Sequence, residues 1–431
     1  MSTKTMNSTS AARLPPPSQQ QDLKCTPVFD ATEITDDRRQ ALQQLLSKGH
    51  ITVAPLREPK LILHSHLPHL LGSAYILGAS RKQLEELYEH EITSLVHVDD
   101  TFIRGHNIST KDWRNFLGEK SYTVAYVDFF DDEVKRNNGD WKIVLQQYLF
   151  SGPEPLINGF IGGLGHPFIH LAYAWELQNP AVATEALSLG CTEYISLHSL
   201  LDQAPPDNST YKTTDLGEII SRIKADDRLD NLFTYPGITN IGILLGKRYD
   251  VLLEHWNAWQ VTNPLEQLEK CCDLSLLLGI GTGDPVHQYD FYLIHTMTVA
   301  QAIRVLWHMI PKERHASILK QYALFLLLVY ICQIKPDFPD DIIERVSSVD
   351  LRGRDWTWVM ERALSHPWAK DSHFFKVVRA PMAFEDTFGK KDDFYLKASV
   401  KYLAEFDGWE GFGEGVEGFL PNRDGFRPDN S

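Results

Sequence analysis

What most constrains this chain is the period of its apolar residues. Segment after segment repeats them at three- and four-residue intervals, the spacing that lines one face of a helix. "RKQLEELYEHEI", "NGDWKIVLQQYLF", "LGKRYDVLLEHWNAWQV" and "HASILKQYALFLLLVYICQ" all follow it, and "TDDRRQALQQLLSKGH" adds Thr35 as a candidate N-cap before acidic first-turn residues. The strict alternation expected of half-buried strands is nearly absent, and no repeat of fixed period appears. Turn clusters such as "QAPPDNST" and "KPDFPDD" separate the helices without marking a domain linker. The chain therefore reads as all-α: a single large multi-helix domain over residues 29–431, its helices packed in layers. Residues 1–28, rich in Ser, Thr, Pro and Gln, read as a disordered leader, and 407–431 as a Gly-rich acidic tail.

Charge and cysteine usage narrow the partners. The chain carries 42 basic and 57 acidic residues, a net charge of −15. Such a surface repels phosphate backbones, which argues against nucleic acid as a partner and, more weakly, against an anionic membrane face. The N-terminal stretch lacks the apolar core of a signal peptide. The longest apolar run, Ala323 to Cys332, is about half of what a bilayer span needs, and reads as a buried helix. The five cysteines include no CxxC pair, and Cys271 and Cys272 are adjacent. That pattern fits a reduced, intracellular and cytoplasmic setting. Monomer and homodimer are both open.

Four segments carry candidate chemistry. In "GHPFIHLAYAWEL", His166 and His170 stand four residues apart, and Pro167 suits the first position of a helix. Their stripe continues through Tyr173, Ala174 and Leu177 and faces the core. Two imidazoles one turn apart can reach one metal ion, although the glutamate of HExxH is missing. The competing reading has His166 capping the helix and His170 bonded to a carbonyl. "LHSHLPHLLGSAYILG" holds His64, His66 and His69, with small Gly72 and Ser73 leaving room beside His69. In "DFYLIHTMTVAQAIRVL", His295 shares a face with Phe291, Tyr292, Thr298, Val299 and Ala302, so it is either a ligand or a satisfied core histidine. In "DSHFFKVVRAPMAF", His373 and Lys376 are neighbours, and Lys376 lies on a face of small residues. It either snorkels to the surface or is buried with a lowered pKa. A neutral buried amine can take up CO₂ as a carbamate, which offers an oxygen ligand to a metal. "GIGTGDP", Gly279 to Pro285, follows no strand and reads as a turn. No Walker A, GxSxG or CxxC site is found, and the Gly-rich signature of tightly held flavin or NADPH is missing.

The segments "HSHLPHLLGSAYILGAS", "GLGHPFIHLAYAWEL", "DFYLIHTMTVAQAI" and "DSHFFKVVRA", in this order and spacing, resemble the questin oxidase-like family from about His64 to Ala380. Its members oxidatively open anthraquinones and related polyketide rings. They have been described as Baeyer–Villiger oxidases, and part of the family resembles non-haem iron dioxygenases whose metal is held by histidines and a carboxylated lysine. The resemblance implies Fe(II) held in a buried site by His166, His170, His295, one of His66 or His69, and a carboxylated Lys376. Ser65 departs from the Asn usual in the family. His64 and His373 are implied to be peripheral, with His373 or Tyr292 as candidates for acid–base work.

The expected function is a non-haem iron-dependent dioxygenase that cleaves a ring C–C bond of an anthraquinone-type polyketide in secondary metabolism. Its partners would be a small planar aromatic substrate and O₂. The aromatic residues, 11% of the chain, could stack such a ring system. Three alternatives stand beside it: an NADPH-dependent Baeyer–Villiger oxidase of the same substrates without bound flavin, a zinc-dependent hydrolase using the same ligands, and a non-catalytic helical scaffold.

Overall fold

Local chemistry sets where the helices begin. Asp36 caps the helix Asp37–Thr52, its carboxylate accepting from the Arg39 amide at 2.7 Å. The cap thus falls one residue beyond the Thr35 expected from sequence. Ser80 and Gln83 form a reciprocal capping box for Arg81–Ile92, and Asp140 caps Trp141–Phe150. The long pattern ending in "NAWQV" divides at Arg248 into Asn240–Lys247 and Tyr249–Ala258. In the computed structural model, which describes residues 16–18, 22–58, 63–281, 288–337 and 341–413, eighteen α-helices account for most of the chain. Five short strands complete it. Val53–Arg57 lies between Leu63–His64 and Leu95–His97, antiparallel to both, and Tyr289–Asp290 pairs in parallel with Trp409–Glu410. The all-α reading holds, with strands of two to five residues only.

A continuous apolar core runs through the helices, and a small satellite (Ala54, Leu56, Val96, Ile103, Val124) underlies the three-stranded sheet. The helix His315–Cys332 belongs to that core. Lys312–Cys332 is the one stretch among the described residues long and apolar enough to cross a membrane, but 83% of its most apolar window is buried inside the fold. It is a core helix, as its sequence suggested. The five cysteines are free thiols, and all but Cys25 are buried.

Three features revise the sequence reading at the margins. Gly279 to Gly281 finish the helix Pro264–Gly281 rather than forming a turn, and 282–287 lie outside the described residues. Within the stretch read as a leader, Leu23 is buried and its carbonyl accepts from His308 Nε2 at 3.0 Å. Residues 1–15 and 19–21 are outside the description. Of the tail, 407–413 is described and packs, with Trp409 fully buried.

Four helices from distant parts of the chain surround one interior region. Leu67–Ile76 and Leu293–Leu306 each pack on both His166–Glu176 and Ser372–Phe388. Pro180–Thr192 backs the His166 helix. Two glycines permit the close approach. A Cβ on Gly72 would stand 3.0 Å from the Tyr173 ring. Gly165 precedes the His166 helix at φ +73°, in the left-handed region, and a Cβ there would meet Val299 at 2.4 Å.

Candidate metal centre

The four packed helices bring His66, His166, His295, His373 and Lys376 into a single buried cluster, with His69 and His170 at its edge. His66 stands at the N-cap of Leu67–Ile76, with Pro68 in the first turn, and His69 follows inside that helix. His66 Nε2 lies 2.9 Å from His166 Nε2. The His66 ring also meets His373 edge-on at 4.6 Å, and His295 lies 5.4 Å from His166 and 5.1 Å from His373, centroid to centroid. Ring nitrogens of His66, His166 and His373 all fall within 4.8 Å of one another. Lys376 is one turn beyond His373 and only 3% exposed.

Hydrogen bonds at the rear of each ring determine which nitrogen is bare. A carbonyl only accepts, so His166 Nδ1 donates to Gly163 O at 2.6 Å and His295 Nδ1 to Phe291 O at 2.7 Å. Both Nε2 atoms are then lone-pair donors for a metal. His373 Nδ1 faces the Asp371 carboxylate at 3.5 Å, and Asp371 is itself held by the Trp409 indole at 2.8 Å. His295 Nε2, His373 Nε2, His69 Nδ1 and Lys376 Nζ are buried with no hydrogen-bond partner. Four such groups in one place are unusual, because buried polar atoms are normally satisfied.

Burial keeps these groups neutral. It pushes His66, His69, His166 and His295 well below the usual imidazole pKa, with Lys376 or a neighbouring histidine adding to the effect. His373 falls to about 4, first through burial and then through Lys376. Burial also lowers Lys376 to about 7, against the opposing charges of Asp371 and Glu91. Neutral imidazoles are the form that binds a metal. Two nitrogens sharing one ion at bonds of about 2.1 Å stand about 3 Å apart, close to the His66–His166 separation. The residues fit a transition-metal ion of the imidazole-preferring kind.

His170 has a different setting. Its Nε2 lies 3.0 Å from Glu185 Oε2, and its Nδ1 lies 3.2 Å from His69 Nε2. Glu185 Oε1 in turn takes His50 Nδ1 at 2.8 Å, and His50 Nε2 reaches Asp131 at 3.0 Å. Burial opposes charge on both Glu185 and His50. Their hydrogen bonds prevail, holding Glu185 down at about 2 and His50 up at about 10. An ionised Glu185 accepts only, so His170 donates from Nε2 and presents a bare Nδ1 to His69. On the other flank His64, stacked on His166 at 4.3 Å, is held by Glu193 at 2.6 Å, and Lys120 also reaches Glu193 at 2.6 Å.

The residues singled out from sequence thus fall into three groups. His66, His166, His295 and Lys376 converge. His69 and His170 pair with each other at the edge, His69 stacking on Tyr173 at 4.9 Å. His373, read as peripheral or as an acid–base group, is one of the three rings whose nitrogens lie closest together. Tyr292 is buried, and its ring contacts are aromatic, with Phe291 and Phe412. Glu185, His50, Asp371 and Trp409 were missed. The one available signal was Glu185, a lone acid on an otherwise apolar, small-residue helix.

The fold is all-α with a buried cluster of neutral imidazoles at its centre, and comparison with known proteins gives the family. A family model described as questin oxidase-like matches residues 63–381. The chain belongs to the questin oxidase-like family, and it is an oxidoreductase. It is 25% identical over 393 residues to the oxidoreductase AflY of Aspergillus parasiticus, covering 84% of this chain and 77% of that one. It is 26% identical over 219 residues to the Baeyer–Villiger oxidase AgnL3 of Paecilomyces divaricatus, covering 47% and 45%. It is 22% identical over 259 residues to questin oxidase of Aspergillus terreus, covering 56% and 57%. The last two matches span about half of each relative.

Proposed function

We propose that this protein is a non-haem iron-dependent oxygenase that cleaves a ring C–C bond of an anthraquinone-type polyketide with O₂. The carrying observation is the convergence of neutral imidazoles whose inward nitrogens meet only one another, as in His66 and His166, or no partner at all, as in His295 and His373. His66, His166, His295 and His373 would hold the ion, with Lys376 as a carbamate supplying an anionic oxygen donor. The relatives named questin oxidase and Baeyer–Villiger oxidase support the substrate class.

When bound, Fe(II) supplies the activation of O₂ that side chains lack. The protein's part is to position and exclude. Gly163, Phe291 and Asp371 fix the rings of His166, His295 and His373. Phe291, half-buried, packs on His373 at 4.5 Å and on His295 at 5.0 Å, with Phe412 and Trp409 behind it. That wall offers a face on which a planar polycycle can stack. The surrounding apolar core excludes water from the imidazoles.

The test is metal analysis of the purified protein, with turnover of an anthraquinone or reduced anthrone before and after chelation. Activity that survives metal removal, or a metal-free protein indifferent to added Fe(II), refutes the reading. A second reading, NADPH-dependent Baeyer–Villiger oxidation, is favoured by the names of several relatives. Turnover under O₂ without NADPH eliminates it.

A further inference from the structure

The groups proposed to hold the ion are closed off as the protein stands. His66, His166, His295, His373 and Lys376 are between 0 and 8% exposed, too little for a planar polycycle to lie against any of them. A ring system that reacts there has to be let in, so some element beside the cluster must move.

Four helices wall the cluster, and displacing one would break packing along its length. The side formed by Phe291 is different. Phe291 packs on His373 and His295, and behind it runs a helix-free strap, Phe406 to Gly413. Phe412 sits on Phe291 at 5.1 Å, and Trp409 meets it edge-on at 5.9 Å. What holds the strap is local. The Tyr289 amide donates to the Gly408 carbonyl at 3.0 Å, and the Phe291 amide to the Glu410 carbonyl at 2.9 Å. The Trp409 indole donates to Asp371 at 2.8 Å. Gln333, with its amide turned so that both ends are satisfied, donates to the Gly411 carbonyl at 3.1 Å. Gly408 at φ +127° and Gly411 at φ +92° bracket the paired residues, and neither has a side chain to obstruct rotation. Asp407 is exposed and Glu410 half-buried, so the outer edge of the strap faces solvent. Because Glu410 holds the Phe291 backbone, release of the strap also frees Phe291.

We propose that Phe406–Gly413 is the door of the centre: its release lets Phe291 swing away from His295 and His373, and the planar substrate enters by that side. The route goes beyond the function proposed above and rests on it only for what the door admits.

The test is histidine labelling of the metal-free, full-length protein with diethyl pyrocarbonate, read at each residue by mass spectrometry, beside hydrogen exchange at Tyr289 and Phe291. The reagent attacks neutral imidazoles, and the unpartnered nitrogens of His295 and His373 meet it only when the door opens. In the wild type their labelling is expected to be slowed, against free histidine, by about the same factor as exchange of the two amides. Phe412→Ala is expected to raise both rates about tenfold or more, with labelling of His255 and His315 unchanged. Trp409→Phe, which removes only the indole hydrogen bond, is expected to raise them less, and it serves if the alanine variant does not fold. Labelling far faster than the amides exchange, variants that change neither rate, or a rise at every buried histidine alike overturns the proposal. Alizarin, a planar anthraquinone, is expected to slow labelling of His295 and His373. Gated labelling without that protection upholds the door and counts against the polycyclic substrate, and iron content of the purified protein reports separately on the metal.

Discussion

Buried histidines occur in two settings in this protein. Near the surface helices, His255 bonds Tyr211 through Nδ1 at 2.8 Å and Asp226 through Nε2 at 2.9 Å. His315 stacks on Trp307 at 3.7 Å and donates to two carbonyls at 3.0 and 3.1 Å. In the central cluster, His69, His295 and His373 each keep one nitrogen with no partner at all. The first group is satisfied and serves the fold. The second forgoes hydrogen bonds worth about 1–3 kcal/mol per buried group. A cluster that leaves several such groups unpaired in one place is arranged to receive something else.

The comparison can be broken most forcefully at the cluster. His166→Ala and His373→Ala are each expected to lower turnover by at least about 100-fold, beyond the range of residues that only support a ligand, and to lose iron by metal analysis. Retained iron and turnover in His373→Ala would return that residue to the bystander role suggested by sequence. Glu185→Gln should have a smaller effect, about tenfold or less in activity, because Glu185 orders His170 and His69, which flank the proposed ligands.

Stability should sort the two settings in the opposite sense. His255→Leu strands Tyr211 and Asp226, and should cost about 1–3 kcal/mol in denaturant unfolding with turnover unchanged. His295→Leu removes one nitrogen that had no partner and strands only the Phe291 carbonyl, so it should cost less than His255→Leu, about 1 kcal/mol, while activity disappears. Equal destabilisation by both would erase the distinction.

The smallest effect is in pH dependence. His50, raised to about 10 by Asp131 and Glu185, contributes stability that is fully present below the unfolded imidazole value and is lost as pH rises through about 10. Glu185, depressed to about 2, contributes stability present above its unfolded value and lost as pH falls through about 2. NMR titration should find the His50 ring still protonated at pH 8, and less so in Glu185→Gln.

Much of this was legible in the residues. The three- and four-residue spacing predicted helices over Arg81–Ile92 and His315–Cys332, and the structure has them. Pro68 and Pro167 marked the starts of the two helices that carry His69 and His170. The resemblance identified the family. Other details lay beyond it. Tyr289–Asp290 forms a strand only because Trp409–Glu410 returns beside it, a pairing that no local pattern announces. His166 and His170 look equivalent as an i, i+4 pair, yet one turns a bare nitrogen toward His66 and the other is tied to Glu185.

The sequence by itself determined the all-α class, most helix positions and the segments that carry the imidazoles, because helical period, caps and proline starts are encoded within a few residues. Only the tertiary structure decided which nitrogens face inward and that His373 joins the cluster. Gly163, Phe291 and Asp371 hold their histidines from two to four residues away, but the groups those rings meet come from other helices, as with His66 and His166, a hundred residues apart. Their partners are set by how the helices cross, not by spacing along any one of them.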